Sequence, residues 1–357
     1  MASHGQSQHL SKRDIGLDIL RATSAFAVVL YHAGSQYFTQ SFPSIEWEAR
    51  NVFMSVSHWA VPVFVMISGA LFLNPLKNVS LRHLYGRNVL HILCAYVVWS
   101  LVYGCYNLFL TGHSFSVGWL MGTVLSGTTH LWFLKMLVGL YVAIPVLRAV
   151  ARDPRLERYF LIVALITTSI IPLCVDVAEH FHPIMGRLLN GFHHALDLNI
   201  ATGFAGYFVL GHYLHSHRPS PGTRRWLLVL ALLATVAMIG LTHRQAHRTG
   251  SASEYFYDVF NVLSLLQAAA VFAWATKPRK TPSTQWQRII SHASSVSFGI
   301  YLIHVLVIFV ARYQFGIDRP TFTPWLFIPL HALGVSAVSY VASSLLKLLP
   351  KADRYIL

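Results

Sequence analysis

The first long apolar run of this 357-residue sequence carries three ionisable side chains, Asp18, Arg21 and His32. Ionisable residues inside apolar spans are rare, and those that occur face a cavity or the interior of a helix bundle. Arg21 and His32 are eleven positions apart, about three helical turns, so they share a face and stand about 16 Å apart along the axis. A histidine, with an ordinary pKa near about 6.5, is suited to take a proton from a hydroxyl. An arginine at the other end of the same face can hold a phosphate or a thioester-bearing ligand. Asp18 and Arg21, three positions apart, can also pair as ions at the membrane boundary while His32 reaches outward. Both readings stand at this level.

Further residues of this kind follow. Pro62 and Ser68-Gly69 lie in the second apolar run, where a proline removes a backbone donor and a glycine permits close approach, so a kink beside a cavity is expected. His58 precedes them and reads as a capping or interfacial residue. Arg82, His83, Arg87 and His91 form a basic cluster before the third run; it either anchors the membrane boundary or docks a phosphorylated carrier such as coenzyme A. His130 and Trp132 suit a membrane interface, and Lys135, about 7 Å deeper, is placed to snorkel. Tyr301 and His304 fall deep in an apolar run, where a lone histidine reads first as a hydrogen-bonded core residue. His180, His182, His193 and His194 share one loop without an acidic partner at a ligand spacing, so no metal is expected. Cys94, Cys105 and Cys174 read as small buried hydrophobes. No phosphate-binding glycine loop, dinucleotide fingerprint or nucleophile elbow is present.

The elements that must position these groups are membrane helices. The chain is 55% hydrophobic and 11% charged, against about a quarter charged in soluble domains. Runs of membrane-spanning length without strand alternation mean helices, because backbone groups in lipid must be paired within the element. The spans are expected at 15–36, 51–73, 88–110, 130–148, 158–176, 199–215, 225–242, 257–276, 292–312 and 324–346, with a short apolar piece, Val117 to Leu125, lying at the interface or re-entering. Of 27 basic residues, 19 fall in one alternate set of loops and tails, 6 in the other, and 2, Arg21 and Lys135, inside spans. That asymmetry places the richer set in the cytoplasm. The expected fold is therefore all-α, a single polytopic membrane domain over 1–357 with ten helices and both ends cytoplasmic. Segments 1–14 and 348–357 are polar tails, and no cleavable leader is expected. The net charge of +14 is accounted for by topology, which argues against nucleic acid as a partner.

Several of these motifs together resemble the acyltransferase-3 family of membrane acyltransferases. Leu17-Asp18 through Arg21 to His32 resembles its opening motif, with the Arg-x10-His spacing, and Phe64 to Gly69 resembles its second-span motif. His130-Leu-Trp132 and Gly299-Ile-Tyr301-Leu-Ile-His304 match two later signatures in order. The resemblance implies transfer of an acyl group, commonly acetyl, from cytoplasmic acyl-CoA to a hydroxyl of a cell-envelope glycan or lipid-linked sugar on the outer side. It implies a multi-pass protein of the bacterial inner membrane, with acyl-CoA as a donor substrate rather than a tightly bound cofactor. His32 would be the base, and Arg21, beside Asp18, would orient the donor. One departure matters: where many members have Arg-x-x-Arg at the third span, this chain has Arg87 and then His91. Arg82, Arg87 and His91 are the donor-binding candidates, and Ser68, His130, Trp132, Lys135, Tyr301 and His304 are further site candidates. The rival class is a carrier or exporter of a sugar or organic anion, with Arg21 and His32 as a relay. Carriers often show repeated halves, and no internal repeat is found. The sequence does not read out an oligomeric state.

Overall fold

Local signals start and stop the helices of the computed structural model, which describes residues 14–74, 80–112, 114–196, 199–277 and 282–357. Asp14 caps α1 (Ile15–Ser35), its carboxylate accepting from the backbone N–H groups of Gly16 and Leu17 at 2.8 and 3.3 Å. Ser44 caps α2 (Ile45–Ser57) in the same way. The chain then breaks at His58-Trp59 before α3 (Ala60–Phe72), because Pro62 has no N–H to offer the carbonyl four residues back. The expected second span is thus two helices, longer together than anticipated.

After α4 (Leu81–His83), a π-helical turn over Leu84–Val89 leads into α5 (Leu90–Thr111). The apolar piece expected at the interface forms α6 (Val117–Ser126). Then come α7 (Trp132–Arg152), α8 (Pro154–Leu165), α9 (Ile171–Phe181) and α10 (Pro183–Leu196). They are followed by α11 (Asn199–Ser216), interrupted at Gly203, and by α12 (Pro221–Thr249) and α13 (Val262–Ala275). α14 (Thr284–Phe315), α15 (Pro324–Leu346) and the single turn α16 (Ala352–Tyr355) complete the order. Among the described residues there is no strand. Among the described residues, eight helices or consecutive helix pairs are long and apolar enough to cross a membrane; α11 and α13 occupy the places expected for the sixth and eighth spans.

Small residues set the closest packing. A Cβ on Gly69 would stand 1.7 Å from Phe208 O, and one on Gly211 would stand 2.0 Å from Met66 O. α3 and α11 therefore touch backbone to backbone, as small residues allow between membrane helices. α1 is the central helix, packed on α2, α3, α14 and α15.

Cross-helix bonds sort the helix ends into two sets. His215 Nε2 lies 2.9 Å from Asp14 Oδ2, His212 bonds Glu157, and Arg148 Nε donates to Phe72 O at 2.9 Å. These gather the start of α1 and α8 with the ends of α3, α7 and α11 at what we call the donor end. Tyr37 donates to Asp318, Arg50 donates to Ala33 O and Gly34 O, and Tyr257 bonds Asn51 at the opposite end. Residues 348–357 do not extend away as a tail. Ala352 and Leu357 are buried, and Trp99 Nε1 donates to Ile356 O at 2.9 Å. Lys12, Arg13, Lys77, Arg279 and Lys280 of the charge count lie outside the described residues, as do the side chains of His180 and Arg354.

Candidate functional site

Three histidines from three separate regions of sequence meet inside the bundle. The ring of His32, near the end of α1, lies 5.1 Å from that of His304 on α14 and 6.4 Å from that of His130, which precedes α7. The rings of His130 and His304 are 5.4 Å apart. His130 is 4% exposed and His304 0%, so the expected interfacial placement of His130 does not hold. Leu131 and Phe133 beside it are buried too, because α5 and α14 close over this segment.

The nitrogens of this cluster are sparingly committed to protein partners. His304 Nδ1 lies 2.7 Å from Tyr301 O and 3.2 Å from Ile300 O. Both are carbonyl acceptors, so Nδ1 carries the proton and Nε2 keeps the lone pair. Among the described residues, His304 Nε2 and both ring nitrogens of His130 have no partner within hydrogen-bonding geometry although buried. Buried polar atoms are nearly always paired, and exceptions concentrate where a ligand group is handled. The core reading of His304 accounts for its Nδ1 but leaves Nε2 unexplained.

Two tyrosines frame the cluster. Tyr301 donates to His130 O, and its ring lies 5.8 Å from that of His130. Tyr103, which the motif reading passes over, has its ring 5.0 Å from His130. Its hydroxyl donates to Leu302 O at 2.8 Å and accepts from Leu306 N at 3.0 Å. It thereby inserts into the α14 hydrogen-bond ladder on both sides of His304. Only packing of α5 on α14 exposes that role.

Toward the donor end, a cavity of about 270 Å³ runs from Tyr301 past Phe133, Phe64 and Ser68 to Arg21, Arg87 and His91. A second, wider cavity of about 610 Å³ shares Arg87 and His91 with it and adds Lys347, Lys351 and Tyr355. The two adjoin at Arg87 and His91, the larger one lined by basic residues and the narrower one largely apolar and reaching a tyrosine of the histidine cluster. Arg87 sits in the π-helical turn and His91 just after it; such turns recur at functional sites.

The remaining sequence candidates divide. Ser68 lines the narrow cavity while its hydroxyl donates to Phe64 O at 3.2 Å. Asp18 is buried and accepts from Ser294 Oγ at 2.7 Å, so it locks α1 to α14 and lines neither cavity. Arg82 is exposed and lines neither. Lys135 Nζ donates to Ser126 O at 3.1 Å, where it caps the last turn of α6. Trp132 is part-exposed and stacks near Phe204, with ring centroids 5.5 Å apart. His58 is buried, with its ring 5.6 Å from both Tyr31 and Tyr257.

On the far side lies a larger cavity, about 830 Å³, between α9, α10 and the loop before α13. Asp176, Asn190, Glu254 and Tyr255 line it, and Tyr257 is its inner wall. The Tyr257 ring is 6.4 Å from that of Tyr31, which is 5.8 Å from His32. The histidines thus stand between two cavities of different character.

A family model described as an acyltransferase domain matches residues 14–344. No curated protein and no solved structure gives a match.

Proposed function

The chain belongs to the acyltransferase-3 family of membrane acyltransferases, and from that premise we propose that it transfers an acyl group, most simply acetyl, from cytoplasmic acyl-CoA to a hydroxyl of an envelope glycan or lipid-linked sugar. The observation that carries the reading is the pair of adjoining cavities. A coenzyme A thioester has a charged nucleotide end and a thin, weakly polar arm. The basic mouth at Arg87, Lys347 and Lys351 suits the phosphates, and the narrow cavity past Ser68 and Phe133 suits the arm. The thioester then arrives at Tyr301, beside the histidines.

In the reaction, His32 takes the proton of the acceptor hydroxyl as its oxygen attacks the thioester carbonyl. The tetrahedral intermediate carries its negative charge on the former carbonyl oxygen, and an N–H of His130 is placed to donate to it. The C–S bond then breaks, and the departing thiolate takes up the proton held by His32. His304 adds a second lone pair, on Nε2, to the same cluster. Ten spans with both ends in the cytoplasm, in a bacterial inner membrane, would put Lys347 and Lys351 on the cytoplasmic side. The cavity walled by Tyr257 would face the acceptor.

Purified protein in nanodiscs, given labelled acetyl-CoA and an envelope glycan, should transfer label, and His32→Ala should abolish transfer while the protein stays folded. Coenzyme A should raise the melting temperature, and Arg21→Ala and Arg87→Ala should weaken that rise. Full activity in His32→Ala overturns the assignment of the base. Solute accumulation in vesicles with no acyl transfer to any acceptor returns the chain to the carrier class.

A further inference from the structure

α12 is the least buried of the long apolar helices, with 17% of its most apolar stretch covered by the rest of the chain. Lipid supplies no hydrophobic drive to hold such a helix against its neighbours, so its attachment depends on specific contacts. At its far end from the donor mouth, His243 and His247 are four residues apart, which stacks them on one face of the helix. Their rings are 4.4 Å apart. Glu48, in the first turn of α2, stands opposite. Its Oε1 lies 2.8 Å from His243 Nδ1 and 3.9 Å from His247 Nε2.

We propose that Glu48, His243 and His247 form a divalent-metal site that pins α12 to α2. One ligand atom from each residue lies within 4.8 Å of the others. A tetrahedral ion with ligand bonds of about 2.0–2.2 Å needs its ligands a little over 3 Å apart, and the two measured separations bracket that spacing. Two imidazoles and one carboxylate are the ligand set of a borderline ion, zinc foremost, and not of magnesium or calcium, which prefer oxygen. Three protein ligands leave a fourth position for water.

The surroundings hold these ligands in place. Trp47 is fully buried behind them, its ring 6.1 and 6.2 Å from those of His243 and His247. Phe42 packs on His247 at 5.2 Å. The nearby cation Arg50 does not compete for Glu48, since it is bound to Glu46 at 2.6 Å and to two carbonyls of α1. His193 and His194 face the large cavity, and His193 Nε2 is bound to Thr167 O. The site shares no residue with the histidine cluster and does not depend on the acyl-transfer reading.

The test is zinc titration of the chelator-stripped, full-length protein in nanodiscs by calorimetry, with thermal unfolding of the same samples. One site of micromolar or tighter affinity is expected, with a rise in melting temperature that grows with free zinc. His247→Ala, Glu48→Gln and His243→Ala should each weaken binding at least about tenfold and abolish the rise, with the zinc-free melt nearly unchanged because all three side chains are substantially exposed. His193→Ala/His194→Ala should bind zinc as the parent does. Zinc binding that survives His243→Ala/His247→Ala, or is lost with His193→Ala/His194→Ala, overturns the proposal, and so does the absence of a saturable site.

Discussion

α12 and α14 are comparable in length and apolarity, yet they serve opposite purposes. In its most apolar stretch α14 is 61% buried and α12 only 17%. α14 holds Tyr301 and His304, receives the wedge of Tyr103, and bonds α1 through Ser294 and Asp18. Residues such as Trp226, Leu232 and Val236 of α12 are exposed along its length. Hydropathy reports only that a helix leaves water. It does not separate lipid from protein as the new surroundings.

The largest expected effect lies at the centre. His32→Ala should lower acyl transfer by about 10²–10⁴-fold, the usual range for a positioned acid or base. His304→Ala should cost on the order of 10²-fold, while Leu232→Ala on α12 leaves the rate unchanged in the same assay. Equal losses at Leu232 and His304 would erase the distinction between the two helices.

Glycine substitutions carry the contrast into stability. A Cβ at Gly69 meets the backbone of Phe208, and since backbone cannot swing aside, Gly69→Ala should destabilise by on the order of 3 kcal/mol. Gly240, in α12, has nothing within 4 Å of where its Cβ would be. There Gly240→Ala should leave the melt unchanged or raise it slightly, by up to about 1 kcal/mol, from helix propensity alone. Opposite signs in thermal melts of the two variants would sharpen the comparison.

Tyr103→Phe removes a hydroxyl that bridges Leu302 O and Leu306 N. Those two groups are four residues apart and can bond each other once the wedge is gone, so the loss should be modest, about 1 kcal/mol. Amide exchange at Leu306 would show whether the ladder closes.

The smallest effect concerns the donor end. The hydrogen bond from His215, ahead of opposing burial, holds the Asp14 carboxyl below its usual range. A lowered folded-state value means the stabilisation is present above the unfolded value and fades as pH falls through the folded one. Asp14 is a third exposed, so the effect is small. Melting of the parent should soften between roughly pH 5 and pH 3, whereas Asp14→Asn should show a flatter profile there.

How far the site was legible depended on whether its parts share a helix. Arg21 and His32 are on one helix, and period alone put them on one face. The membrane character and most span positions were legible for the same reason, since each follows from residues within one segment. His130 and His304 were not legible as a pair, because no local pattern links positions 174 apart. Tyr103 carried no signal at all. Arg82 and Arg87 looked equivalent in a basic cluster, and only the structure showed that Arg87, in the π-helical turn, lines the cavities while Arg82 does not.

By itself, then, the sequence determined that the chain is helical, that it lives in lipid, and that the Arg21–His32 face is special. Those facts follow from hydropathy, helical period and the cost of burying charge. The tertiary structure alone decided which helices enclose that face, that three histidines converge there, that residues 347–357 complete the basic mouth, and that Glu48 meets two histidines of α12. Each of these is a meeting of segments distant in sequence, and packing fixes such meetings through close approaches like that of Gly69 to Phe208.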